Sequence, residues 1–319
     1  MTTASLGLSR ADRPILIAAL FILVILVAGT VYTVARFGSA PLLSPAYLLQ
    51  QLQIGSFLGI VAAGMMIVIL IGQIDLSVPW TLAAAAMMAT SIGGPVAIPV
   101  GLGVGLVVGL VNGIGVAYLR VPSMIFTLGV NAVMRGLMVA HTGGYAPQTA
   151  ATGLMRTLAS ERTLGIPNAL FVWIAVSVLV AGILQRTPLG RYIYAIGNKE
   201  QAAYLAGVDT RRVTVICFML CGLTAALAGV LLAGYSTKAY QGMGDAYLLP
   251  SIAAVVIGGT NILGGSGRYL GTLIGVVLIV LLNSVLSIMD MPEAGRQVIY
   301  GLVIILMLLV YGRGERVTS

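Results

Sequence analysis

Charge is what this chain of 319 residues has least of. Asp, Glu, Lys and Arg make up 8% of it and 59% is hydrophobic, where a soluble domain carries about a quarter charged residues. One buried core cannot absorb that much apolar surface, so the solvent is read as lipid. There is one histidine, His141, with no Cys, Asp or Glu near it in sequence, which excludes a triad or a metal site built around it. Only two cysteines occur. Cys217 and Cys221 lie four apart in an apolar run and share a helix face, so they read as small packing residues, not as a disulfide framework. A phosphate-binding loop is missing too. Residues 258–265 are glycine-rich but lack the Lys-Ser/Thr pair that holds phosphate and magnesium. With nine acids, mostly in loops, a catalytic cluster is not expected, and the chain reads as a non-enzyme that binds no cofactor itself.

What is present is a series of long apolar runs. Ten spans are expected, at 14–35, 47–71, 76–93, 95–118, 122–141, 168–185, 212–234, 247–263, 269–288 and 296–312. The first is longer than the apolar core of about 7–15 residues in a cleaved signal peptide, so it reads as a retained span. The fold class is therefore all-α and polytopic, with residues 1–319 as a single transmembrane domain. With both termini cytoplasmic, eleven Lys and Arg fall on inner segments, five on outer ones, and Arg135 lies within a span. That is the positive-inside bias. The net charge of +8 thus reports orientation and lipid contact and calls for no nucleic acid. It places 186–212 in the cytoplasm and 142–167 outside, the latter as a lid, a docking surface or a plain connector.

A shift of 171 residues lays Pro79 on Pro250, Ala83 on Ala254, Gly93-Gly94 on Gly264-Gly265, Leu102 on Leu273, Leu110 on Leu281 and Asn112 on Asn283. Such a shift carries spans 2–5 onto 7–10. It equals five spans, an odd number, so the copies run oppositely through the membrane. Inverted repeats of this kind build pathways at the repeat interface.

Few polar groups interrupt the spans. Asp75 sits between Gly72 and Pro79, and an Asp at the bilayer centre costs about 2.5–3.5 kcal/mol on insertion scales. It therefore belongs to a break, where Asp75 or Ser77 can cap the next helix or line a pathway. Ser123, Thr127, Asn131 and Arg135 recur every four residues and form one helical stripe. They can line a wet path or bond neighbouring helices. Asn112 and Asn283 join Asp75, Ser77, Ser123, Thr127 and Asn131 as pathway candidates. Gly101, Gly105, Gly109 and Gly113 form a ribbon that lets backbones approach closely.

One stretch is charged and long. Residues 186–212 hold five Lys and Arg with two acids, around a short Ala-rich helix whose apolar face includes Ala203, Leu205 and Ala206. A solvent-facing helix held between spans is a surface for a soluble partner.

Several pieces, in order along nearly the whole chain, resemble the membrane permease of bacterial ATP-binding-cassette importers of the ribose type. They are Ile74-Asp75-Leu76-Ser77-Val78, residues 121–129, Thr142-Gly143-Gly144, Thr187-Pro188-Leu189-Gly190-Arg191, the run 197–207 and the glycines of 258–265. The chain departs from the family pattern at Gln201, usually Ala, and at Pro79, usually Gly. The resemblance implies a bacterial inner-membrane protein that works as a homodimer. Its partners would be cytoplasmic ATPase subunits, which carry the ATP and magnesium, and a periplasmic substrate-binding protein. It implies a coupling segment at 187–211, with Gly190, Arg191, Asn198, Glu200, Ala202 and Gly207 docking into the ATPase. The solute would be a simple sugar or related polyol, moved inward by alternating access.

Two rivals are weaker on the residues. An ion-coupled transporter needs acids within spans, and only Asp75 qualifies. A permease for nucleosides or branched-chain amino acids remains the nearest alternative within importers. An amino acid needs charged partners for both its ends, and the spans offer few.

Overall fold

The computed structural model describes residues 13–145, 147, 149–302 and 305. It is helical almost throughout, an all-α polytopic membrane protein. Seven of the described helices are long and apolar enough to cross a membrane. In chain order the helices are α1 (Arg13–Phe37), α2 (Pro45–Leu70), α3 (Val78–Ile92), α4 (Ala97–Ala117), α5 (Ser123–Thr142), α6 (Gly153–Ser160), α7 (Asn168–Arg186), α8 (Pro188–Leu205), α9 (Thr210–Ser236), α10 (Leu248–Ile257) and α11 (Tyr269–Ile288). Residues 293–302 are also helical. Most of the expected last span, 296–312, lies outside the described residues.

α2 and α9 form the centre and are buried on nearly every side. They cross closely because Gly64 on α2 leaves room for Cys221 and Thr224 of α9. α4 packs along α9 through the glycine ribbon expected from the sequence. A Cβ on Gly105 would overlap the Gly222 carbonyl, and one on Gly109 the Phe218 carbonyl. With no side chains between them, the two backbones touch and dispersion replaces any hydrophobic drive. α1 lies outermost against α11. Leu20, Leu23, Val27 and Val31 on it are exposed, as a lipid-facing helix requires.

Two expected spans are too short. α3 has 15 residues and α10 has ten. At about 1.5 Å per residue they reach only about 22 and 15 Å of the roughly 30 Å core. A stretch of non-helical backbone precedes each, and α10 also stops at Ile257, before the non-helical residues 258–268. Gly72 adopts a left-handed φ of +74° and leads through a non-helical run to α3; Gly242, at +75°, leads into a 3-10 turn, Asp245–Tyr247, that runs on into α10. These runs are strung along α5 from its two ends. The amides of Ile74, Leu76 and Trp80 meet Ser123, Thr127 and Asn131 in turn. From the other end, Gln241 donates to Thr142. The two runs meet where Gly244 backs directly onto the Pro79 carbonyl. α3 and α10 thus begin side by side.

Of the segment 142–167, the part from Ala150 on is packed down and does not hang free. Its helix α6 buries Met155 and Ala159 against Gly234 of α9, and Gln53 donates to the Ala159 carbonyl at 2.9 Å. A two-stranded hairpin, Arg162–Thr163 with Ile166–Pro167, leads into α7.

Candidate functional site

The break before α3 carries a polar knot. Asp75 is 1% exposed. Its Oδ1 accepts the Ser77 amide at 2.9 Å and the Ser77 hydroxyl at 2.6 Å. Asn112 of α4 donates to both carboxylate oxygens at 3.2 and 3.3 Å, and to Ser77 Oγ at 2.7 Å. The Cys221 thiol of α9 lies beside the same carboxylate. Taking a carboxylate out of water costs several kcal/mol, which only a full set of donors offsets. Here the donors come from Ser77 in the break and Asn112 on α4, so Asp75 fastens the start of α3 to α4.

The sequence expectation that Asp75 or Ser77 caps α3 needs correction. No side chain on Ser77 bonds a free amide of the helix. Asp75 bonds the amide just before it, and the Trp80 amide is taken from outside by Asn131 Oδ1 at 3.3 Å. Pro79 has no amide hydrogen to satisfy. The four-residue stripe on α5 is therefore a row of acceptors for another segment's backbone. Ser123 Oγ takes the Ile74 amide at 3.3 Å and Thr127 Oγ1 the Leu76 amide at 2.9 Å. Asn283 lies apart from these residues. It accepts from Arg296 at 2.7 Å and lines a cavity of about 360 Å³ shared with Tyr47, Gln51 and Ser284.

The charged stretch forms a second site at the end of the bundle where α2, α4 and α7 finish and α5 and α9 begin. Thr187 caps α8 by accepting the Gly190 amide at 3.3 Å. Gly190 is buried because its backbone presses on the carbonyls of Ile183 and Leu184, while Arg191 is exposed. α8 breaks at Lys199, whose φ of −164° and ψ of 99° are extended. Before the break, Asn198 donates to the Gly265 carbonyl at 3.2 Å and Tyr194 to the Gly267 carbonyl at 2.9 Å. The Gly265 amide in turn donates to Leu70 O at 2.9 Å. Beyond the break a single turn projects. Glu200, Ala202 and Gly207 are exposed on it, and Tyr204 and Leu205 stand 68% and 84% exposed. Ala203, expected on the outward apolar face, instead packs inward. The turn ends on Gly207 at φ +86°, with the Val208 amide bonding back to Ala203 O at 3.1 Å, the left-handed cap that glycine accepts without strain. Beside it runs a groove of about 1300 Å³ lined by Gln73, Arg120, Glu200, Tyr204, Asp209 and Arg211.

Sequence reasoning missed the neighbourhood of Asp245, while Cys217 and Cys221 are free and buried in the core, as expected. Asp245 lies where the second run meets α3, exposed, within the field of Arg135. The 171-residue shift takes Asp75 to position 246, one residue away, and was the one signal that could have found it.

Seven apolar helices long enough to cross a membrane, with two short buried helices among them, are the build of a membrane permease. The family described as the branched-chain amino acid transport system permease component matches residues 47–308, and the chain belongs to that family. It is 38% identical over 273 residues to the ribose import permease RbsC of Escherichia coli K12, covering 82% of this chain and 84% of the relative. To RbsC of Bacillus subtilis strain 168 it is 38% identical over 297 residues, covering 91% and 90%. To the autoinducer 2 import system permease LsrC of Salmonella paratyphi B it is 33% identical over 259 residues, covering 80% and 75%. The resemblance to ribose-type importer permeases read from the sequence is borne out. No solved structure matches the chain.

Proposed function

We propose that this chain is the membrane-spanning subunit of an ATP-driven importer that carries a simple sugar or related polyol into the cytoplasm. The family's description names branched-chain amino acids. The relatives that match most of the chain are named for ribose and for autoinducer 2, which favours the sugar. It sits as a multi-pass protein in the bacterial inner membrane with both termini in the cytoplasm. It pairs with a second copy, a periplasmic binding protein and cytoplasmic ATPase subunits that hold the ATP and magnesium. The 1–319 chain is one permease domain, and 187–211 is its coupling segment.

The observation that carries this reading is the projecting turn at 200–205. A tyrosine and a leucine left bare side by side and rimmed by charged residues make the kind of apolar patch that marks a docking surface. Glu200, Ala202, Gly207 and the arginines around them suit a docking helix that the ATPase pulls as it closes. Gly190, Arg191 and Asn198 form its root. Motion passed to Gly265 and Leu70 would tilt α2 and reorient the pathway.

Ten spans in an inverted repeat also fit. Shifting Ala97–Ala117 by 171 gives 268–288, against Tyr269–Ile288 observed, and shifting the start of α5 gives 294, where helix begins at 293. α3 and α10 then enter from opposite faces and meet midway, as broken helices do in transporters. Asp75, Ser77, Asn112, Ser123, Thr127 and Asn131 hold the first break in shape beside the path, and Asn283 belongs to a separate cavity on the opposite half.

The test is reconstitution. Permease co-purified with the ATPase and binding protein encoded beside it, and sealed in liposomes, takes up labelled ribose only with ATP inside the compartment that holds the ATPase. Permease that binds no ATPase, or uptake that follows an ion gradient without ATP, defeats the reading.

A further inference from the structure

Arg135 is the only cation that sequence places inside a span, and Asp245 is the acid the fold brings to it. Arg135 stands 12 residues into α5, about 18 Å from its start and roughly 10 Å from its end. Its guanidinium carbon lies 6.0 Å from the centre of the Trp80 ring, and the residue before Trp80, Pro79, is the one whose carbonyl Gly244, next to Asp245, backs onto. Both side chains are exposed on the surface of the single chain, at the point where Gly244 backs onto Pro79. Charged groups at this depth do not face hydrocarbon; they face a cavity, water or each other. Asn131 sits one turn below them on α5, and Thr142 with Gln241 above. The polar seam therefore runs most of the length of α5.

Resting on the sugar-importer reading above, we propose that Arg135 and Asp245 form a hydroxyl-binding station for the solute halfway along its path. The carboxylate accepts from one hydroxyl and the guanidinium donates to its neighbour, the fork geometry that suits adjacent hydroxyls on a polyol. Trp80 beneath the guanidinium fixes its plane. A zwitterionic amino acid would engage the same two charges, so the solute is part of the test.

The experiment uses the whole importer in liposomes. Arg135→Cys and Asp245→Cys are treated with a charged, membrane-impermeant methanethiosulfonate, beside Val178→Cys on α7, a position 68% exposed among apolar neighbours. The unmodified chain is the blank, its Cys217 and Cys221 being buried. Positions 135 and 245 react, ribose slows the reaction, and 178 stays silent. Arg135→Gln and Asp245→Asn each lower labelled ribose uptake about tenfold or more, the loss expected for one hydrogen bond to a charged group, with ATPase binding unchanged. The exchanged pair, Arg135→Asp with Asp245→Arg, does not recover uptake. Labelling at 135 and 245 no faster than at 178 overturns the proposal, as does full uptake in either neutral variant or in the exchanged pair. Carriage of labelled leucine in place of ribose by the unaltered importer overturns the polyol assignment. An unaltered importer inert to ribose whose two positions still react counts against the solute named above and supports the location of the pair.

Discussion

Asn198 reaches across 67 residues of chain to the Gly265 carbonyl, at 3.2 Å, and so ties the root of the projecting turn to the loop between α10 and α11. The same loop bonds the end of α2 through the Gly265 amide and Leu70. Gly197 lets α8 lie against both, since a Cβ there would overlap the Leu70 carbonyl. One hydrogen bond is worth about 1 kcal/mol net, small for stability but large for transmission. Asn198→Ala should leave the protein folded and bound to its ATPase while uptake per ATP hydrolysed falls severalfold. Uptake and hydrolysis measured together on one preparation check this. Unchanged stoichiometry would mean the Asn198 bond carries no motion.

Leu205 is the cleaner probe of docking than Gly207. Gly207 needs its left-handed backbone, so any side chain there strains the end of the turn whatever it does to a partner. Leu205 is 84% exposed, and a charge placed there should shift stability by no more than about 0.5 kcal/mol. Leu205→Asp is expected to abolish co-purification with the ATPase at an unchanged melting temperature. Leu164→Asp, at a position 94% exposed on the hairpin before α7, should change neither. A Leu205→Asp permease that still binds its ATPase at wild-type affinity would remove the turn from the interface.

Asp75 separates loss of charge from loss of acceptors. Asp75→Ala strands the buried Ser77 amide, at a cost of about 1–3 kcal/mol, and leaves Asn112 and the Ser77 hydroxyl with only each other and Thr81. Asp75→Asn keeps one oxygen for the Ser77 donors and should cost distinctly less. Thermal unfolding in one lipid nanodisc preparation ranks the three proteins. Equal melting of the alanine and asparagine variants would mean the knot does not hold the break.

Much of this architecture was legible in the residues, and the illegible part has a physical cause. Gly72 and Pro79 marked the break around Asp75 because glycine and proline punctuate backbone wherever they occur. The α4 ribbon was legible because four-residue spacing of glycine has one use in a helix. Partners were not legible. Ser123, Thr127 and Asn131 take amides 49 to 51 residues away, and nothing local to α5 encodes which. The short length of α10 was hidden because hydropathy weighs side chains, and the non-helical residues 258–263 after it are counted with the span.

The glycine ribbon gives a test of packing with an internal control on one helix. A Cβ at Gly109 would overlap the Phe218 carbonyl and crowd the Met219 backbone of α9, whereas one at Gly103 meets nothing within 4 Å. Backbone cannot swing aside as a flexible side chain can, so Gly109→Ala must push α4 off α9 along its length. The cost of overpacking a tight contact is typically about 1–3 kcal/mol. Gly103→Ala faces open space and replaces a poor helix former with the best one, so it should be neutral or mildly stabilising. Melting temperatures of the two variants in the same lipid should fall on opposite sides of, or one well below and one at, the wild-type value. Matching losses at both positions would mean that α4 and α9 do not meet backbone to backbone, and the central crossing on which both half-helices rest would have to be redrawn.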